Sequence, residues 1–247
     1  MHTNSRESAQ GGRERVKVLL LATTFPRWKG DTTPPFVLHL SRELARDLDV
    51  TVLVPYSRGS QRSECIDGVK VRRFRYWLDQ EDLVADGAIL PNLKRNPWKL
   101  FQAASLVVSQ VGAMWMLCRE EDFDVVHAHW VLPQGLLAPL VRFMQSKNPR
   151  IVVTSHGADN FGLKAFGFVK RWAYNHADSI TGVSRAIEQD IHALGVRDEV
   201  PVHVVPMGTY TNSFALAEPA HEIRERYGIE GPALLFVGRL SEKKGVR

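Results

Sequence analysis

DVVHAHWVLPQG, residues 124–135, decides the fold. It opens on a short apolar run rich in valine, of strand length, with no strict polar alternation. A turn containing Pro133 and Gly135 follows, and from 135 to 145 the pattern becomes helical. A strand buried on both faces that runs into a helix is half of a crossover unit. Such units make parallel sheets.

Outward from this stretch the same alternation recurs. Strands are expected at 16–22, 50–54, 69–74, 124–128, 150–154, 179–181 and 202–205, with helices at 36–48, 98–118, 135–145, 164–176 and 184–193. The predicted fold is α/β, a doubly wound and mostly parallel sheet. Strands 50–54 and 69–74 have no helix between them. The intervening RGSQRSECIDG has the composition of a loop, so this pair is a local antiparallel or edge variation. The first 14 residues are polar and are expected to be a disordered tail. Residues 15–214 form the main domain, 215–232 a linker with one short charged helix, and 233–247 the beginning of a second domain.

Composition sets bounds on function. The 247 residues carry a net charge of +5, which favours an anionic partner. Two cysteines, Cys65 and Cys118, argue against a disulfide framework and for a reducing, cytoplasmic setting. Between Lys99 and Arg119 lie 19 uncharged residues, close to a bilayer span. Gln102, Ser105, Ser109 and Gln110 nevertheless share one helical face, and a one-sided polar stripe on an apolar helix is what docking on a sheet produces.

In doubly wound sheets, ligands lie beyond the carboxyl ends of the strands. The turns there are TTFPRWKGDTTPP (23–35), HWVLPQG (129–135), SHGADNFG (155–162), GVSRA (182–186) and PMGTYTNSF (206–214). None is a dinucleotide fingerprint, a nucleophile elbow or a P-loop, which argues against oxidoreductases, serine hydrolases and P-loop nucleotide hydrolases. His127 and His129 share a strand face and could chelate a metal, but no nearby carboxylate or cysteine completes a ligand set. His156 follows a strand directly and precedes Gly157 and Asp159. It could hydrogen-bond a polar ligand, with Asp159 orienting it or binding a hydroxyl, or it could be an exposed loop histidine that caps a helix.

The ordered succession TTFPRWKGD, VVHAHWVLPQG, TSHGADN, ITGVSRAI, VVPMGT and FVGRLSEKKG resembles the retaining glycosyltransferases of family 4. The resemblance runs from about residue 16 to the end of the sequence. It implies a GT-B fold of two Rossmann-like domains, the first mainly for the acceptor and the second mainly for a nucleotide-sugar. His156 matches the histidine that contacts the transferred sugar and is the candidate catalytic residue. Arg239 and Lys244 match the two cations that hold the donor diphosphate, a task suited to a bidentate and a point charge. Gly30, Asp31, His129, Asp159 and Ser184 complete the candidate substrate-binding set. The paired glycines usual in the first loop are reduced to Gly30, and Tyr210 stands where aspartate is common. Glu222 and Glu230 have the family's Glu-x7-Glu spacing but precede the G-R-L turn, so the match is coincidental.

The resemblance therefore implies sugar transfer from a nucleotide-diphosphate sugar to a glycan or lipid-linked acceptor, in cell-envelope polysaccharide synthesis. No cofactor, metal or nucleic acid is expected. Leu234–Val237 is predicted to be the buried first strand of a donor domain whose remainder is lacking, making the chain a fragment or a truncated product. Two alternatives stand beside this reading: a non-catalytic acceptor-binding module, and a metal-dependent hydrolase built on His127, His129 and His156. Arg72, Arg73 and Arg75 adjoin Tyr76 and Trp77, and Lys94, Arg95 and Lys99 surround Trp98, ahead of Leu100 and Phe101. This is either a surface for an anionic membrane or a solvated face with aromatics capping the core.

Overall fold

The structure is a computed structural model that describes residues 14–28, 30–31, 33–78, 93, 96, 98–157, 166–211, 221–238 and 245. The chain divides into two compact units, 1–209 and 210–247.

The first unit is built on an eight-stranded sheet of order β3-β4-β2-β1-β5-β6-β7-β8. Its strands are β1 (Lys17–Leu21), β2 (Asp49–Pro55), β3 (Ser63–Ile66), β4 (Val69–Phe74), β5 (Val125–His129), β6 (Arg150–Ser155), β7 (Ser179–Gly182) and β8 (Val202–Val204). All neighbours pair in parallel except β3 with β4. The reason is visible in β1. Leu19 and Leu21 enter the core on one face, while Val18 and Leu20 enter the core on the other. A strand with two dry faces needs helices on both sides, and helical crossovers bring the chain back parallel. The doubly wound expectation holds.

Helix α1 (Phe36–Leu44) covers one face through Val37 and Leu38. On the other face lie α2 (Lys99–Glu120), α3 (Gly167–Asn175) and α4 (Arg185–Ala193), through Leu106, Met114, Tyr174, Ile187 and Ile191. Strand order reverses between β1 and β5. The crevice of this sheet type therefore opens between the turns that leave those two strands.

Four sequence expectations are corrected. RGSQRSECIDG is not simply a loop: it contains β3, joined to β4 through Asp67 and Gly68 at φ 49 and 83, the left-handed backbone that a tight hairpin turn requires. β2 and β4 are themselves parallel, and only β3, at the sheet edge, runs antiparallel. The helix expected at 135–145 is broken into a kinked π-type turn, Val131–Gly135, and a 3-10 helix, Ala138–Phe143. Pro133 and Pro139 each remove a backbone donor there. Lastly, Leu234–Val237 forms no strand and its side chains are exposed. Among the described residues the second unit has no strand for it to pair with, only the short helix α5 (His221–Arg226), which agrees with the charged helix expected in the linker.

α2 docks on the sheet, as its one-sided polarity predicts, but with Gln102 and Gln110 turned inward and buried. Gln134, on the turn after β5, donates to Gln110 Oε1 at 3.4 Å. Much of the apolar surface of α2 is consequently left outside.

Candidate functional site

The turn after β1 is anchored at two points. Arg73 on β4 is buried, donates to the Pro26 carbonyl at 2.9 Å and pairs with Glu64 at 2.7 Å. Within the turn, Asp31 accepts from the Arg27 backbone at 2.8 Å and from its guanidinium at 3.0 and 2.7 Å. That guanidinium holds the Asp31 carboxyl well below the usual carboxylate range. The Asp31 side chain is almost fully covered by this pairing. Among the described residues, nothing lies within 4 Å of the position a Cβ would take at Gly30, whose φ is 83.

At the carboxyl ends of β5, β6 and β7 a polar cluster lies on the α1 face of the sheet. Register places Thr154 beside His129 and Thr181 beside Thr154. The His127 imidazole meets Thr154 Oγ1 at 2.7 Å, and Thr154 meets Thr181 Oγ1 at 2.6 Å. His127 and His129, two residues apart on one strand, have ring centroids 4.5 Å apart. His156 stacks on His129 at 5.1 Å, with His129 Nδ1 and His156 Nε2 separated by 2.9 Å. Trp130 and Phe36 wall His156 at 4.8 and 5.1 Å. Trp130 sits at φ 72, a conformation strained for a tryptophan, and strained backbone of this kind collects at functional sites.

Burial keeps all three imidazoles neutral. It pushes His127 and His156 down to about 4, and His129 well below its ordinary value. Hydrogen-bond accounting then assigns the protons. His129 Nε2 is buried without a partner among the described residues. An orphaned N–H is costlier to bury than an under-used acceptor, so the His129 proton belongs on Nδ1, where it donates to His156 Nε2. His156 must then carry its own proton on Nδ1. The cluster presents a neutral N–H donor held by a second histidine.

The other candidates are distributed as follows. Ser184 caps α4, its Oγ accepting from the Ile187 N–H at 3.4 Å. Asp159, Arg239 and Lys244 lie outside the described residues. Among the described residues no group of three His, Cys, Asp or Glu side chains is arranged to hold a metal ion. The structure thus brings together His129 and His156 and adds His127, Trp130, Phe36, Thr154 and Thr181. Of these additions, only the shared strand face of His127 and His129 had a sequence signal.

The glycosyltransferase family 4 model matches residues 35–213. TuaC of Bacillus subtilis, named for teichuronic acid biosynthesis, is 30% identical over 131 residues, which are 50% of this chain and 32% of that relative. The sucrose-phosphate synthase of Thermosynechococcus elongatus superposes with a TM-score of 0.61 at 14% identity, covering 94% of this chain and 57% of that one. Anabaena HepE, solved in complex with UDP, superposes with a TM-score of 0.52 at 14% identity, covering 86% of this chain and 50% of that one. The structural likenesses establish the fold, and the chain spans about half the length of these solved proteins.

Proposed function

Because this chain belongs to glycosyltransferase family 4, we propose that it takes part in transferring a sugar, with retention, from a nucleotide-sugar to an acceptor, and that the first unit supplies the acceptor-side wall. The likeness to TuaC, named for teichuronic acid biosynthesis, supports a cell-envelope setting. From there we extend the reading to a hexose donor and a lipid-linked or growing polysaccharide acceptor. The observation that carries the reading is His156, neutral and oriented by His129, at the carboxyl end of β6 beside the point where strand order reverses.

Glycosyl transfer develops positive charge on the sugar ring and negative charge on the departing diphosphate. An imidazolium next to the ring would oppose the first of these. A neutral His156 avoids that repulsion and offers its Nδ1–H to a sugar hydroxyl, fixing the reacting carbon. By the family resemblance, Arg239 and Lys244 are assigned the second charge, a purely electrostatic role that needs no protein nucleophile. Gly30 lets the first turn approach the substrates closely, while Asp31 acts through Arg27 by holding that turn closed.

The test is release of nucleoside diphosphate from a panel of nucleotide-sugars, using the longest reading frame that contains these residues. Turnover should fall about a hundredfold in His156→Ala, the cost of losing one preorganised donor. Turnover equal to the unaltered protein in that variant, or no release from any nucleotide-sugar, sinks the reading.

A further inference from the structure

The His127 ring does not bond to its own neighbour. Register on β6 pairs His127 with Val152, yet its Nε2 lies 2.7 Å from Oγ1 of Thr154, two residues further on. A side chain standing perpendicular to the sheet would face Val152, so His127 leans toward the carboxyl end. Residues two apart on a parallel strand are separated by about 6.6 Å. The His127 and His129 ring centroids are only 4.5 Å apart. The bond to Thr154 draws the first ring against the second.

Thr154 in turn lies 2.6 Å from Thr181 Oγ1, so one chain of contacts crosses β5, β6 and β7. Thr154 is buried, and among the described residues its hydroxyl has no third partner. With one proton and two partners, it donates to one and accepts from the other. The chain therefore runs in a single direction, from Thr181 to His127 or the reverse. Bonds ordered head to tail strengthen one another, and reversing them means turning two hydroxyls and an imidazole together. His127 is held in one orientation and one tautomer.

His129 is the group that this arrangement serves. Its Nδ1 is spent on His156, and its Nε2 is buried without a partner among the described residues. Ring contacts must then do the rest of the work of holding its plane. They come from His127, His156 and Trp130 at 4.5, 5.1 and 6.2 Å, and His127 is the nearest.

We infer that His127, Thr154 and Thr181 are positioning residues, which through the contact with His129 keep its Nδ1–H on His156 Nε2 and so hold the His156 proton on Nδ1. The purpose of this relay rests on the sugar-transfer reading. Its test does not, because the His156 imidazole can be read directly.

Nitrogen NMR at neutral pH is the measurement, with the His156 signals identified by their loss in His156→Ala. The two ring nitrogens are well separated when one tautomer is held and converge when both are populated. Thr154→Val removes the hydroxyl and keeps the shape. It should bring the signals together and lower turnover about tenfold, the cost of one hydrogen bond. Thr154→Ser restores the hydroxyl and should keep the signals apart, with most of the turnover recovered. Thr181→Val breaks only the outer link, at a half-buried position, and should move the signals the same way by less. Thr51→Val, at a buried threonine of β2 outside the cluster, should leave them apart. Signals already merged in the unaltered protein, or still apart in both Thr154→Val and Thr181→Val, overturn the inference. So does convergence in Thr51→Val equal to that in Thr154→Val, since any loosening of the sheet would then suffice. Spectra that behave as expected in a protein releasing no nucleoside diphosphate support the relay and sink only the sugar-transfer reading.

Discussion

The two ends of the central strands are built on opposite principles. At the amino ends the carboxylates are half-buried and paired. Asp124 accepts from the Lys17 backbone and from Lys147, which together hold its carboxyl below the ordinary range. Asp178 accepts from the Ile151 backbone and from Arg142 and Arg150. At the carboxyl ends of β5 and β6 the polar groups are buried, neutral and incompletely satisfied. Local consistency is kept where only stability is at stake and is relaxed where a ligand can complete it. One end holds the sheet, and the other is held ready by it.

Acid should break the comparison most strongly. His127 and His156 have folded values near 4, against 6.5 for the free side chain. The unfolded chain therefore binds more protons than the folded one between those values, and stability falls as pH drops through that window. Each histidine should cost about 2–3 kcal/mol across it. Asp124 adds its loss only at lower pH, because its carboxyl is protonated below the free carboxylate range. Urea unfolding at a series of pH values should show the decline beginning near 6.5, with a shallower slope in His127→Gln. A decline confined to the carboxylate range would remove the buried neutral histidines from the account.

Next in size is Asp178→Ala, at the amino end. It strands the Ile151 N–H and two guanidinium groups, and should cost about 2 kcal/mol of unfolding free energy. Turnover at a temperature where the variant is folded should be unchanged. A turnover loss beyond the unfolded fraction would mean that the two ends are not separable.

His129→Phe probes the carboxyl end without touching the sugar-facing group. The ring stack on His156 can survive, but the donor to its Nε2 is gone, freeing the tautomer. Turnover should fall about tenfold, or about 1.4 kcal/mol, and the loss should vanish in a His156→Ala background. Equal losses in both backgrounds would make His129 a packing residue only.

Much of this contrast was legible in the sequence, and the illegible parts have definite physical causes. Two-faced burial wrote the parallel strands into runs such as IVVT and KVLLL. β3 was hidden because SECI, at a sheet edge, is half exposed and polar, although the Asp67–Gly68 turn signal lay beside it. The run LLFV at 234–237 matches β1 in composition yet forms no strand. Apolar composition states a demand for neighbours and does not supply them. His156 was marked by its turn, but its partner His129 is 27 residues away, and only the β5–β6 register brings them together. The sidedness of α2 was misleading because glutamines can be buried against each other, a choice that periodicity alone does not reveal.

The smallest effect offers the finest comparison. Gly157 and Gly68 both have left-handed backbone, at φ 90 and 83, so an alanine at either should cost about 1 kcal/mol in strain. Gly68 joins β3 to β4 far along the sheet from the histidines, and the nearest atom to a Cβ there is 3.9 Å away. Gly157 follows His156 directly. If the carboxyl end is poised for a ligand, backbone strain in Gly157→Ala, directly after His156, should lower turnover more than its stability loss accounts for. Gly68→Ala should lower stability alone. Urea unfolding and turnover measured side by side on the two variants decide it. Matching stability losses with matching turnover would show that the backbone after β6 does no more for His156 than a hairpin does for the sheet edge.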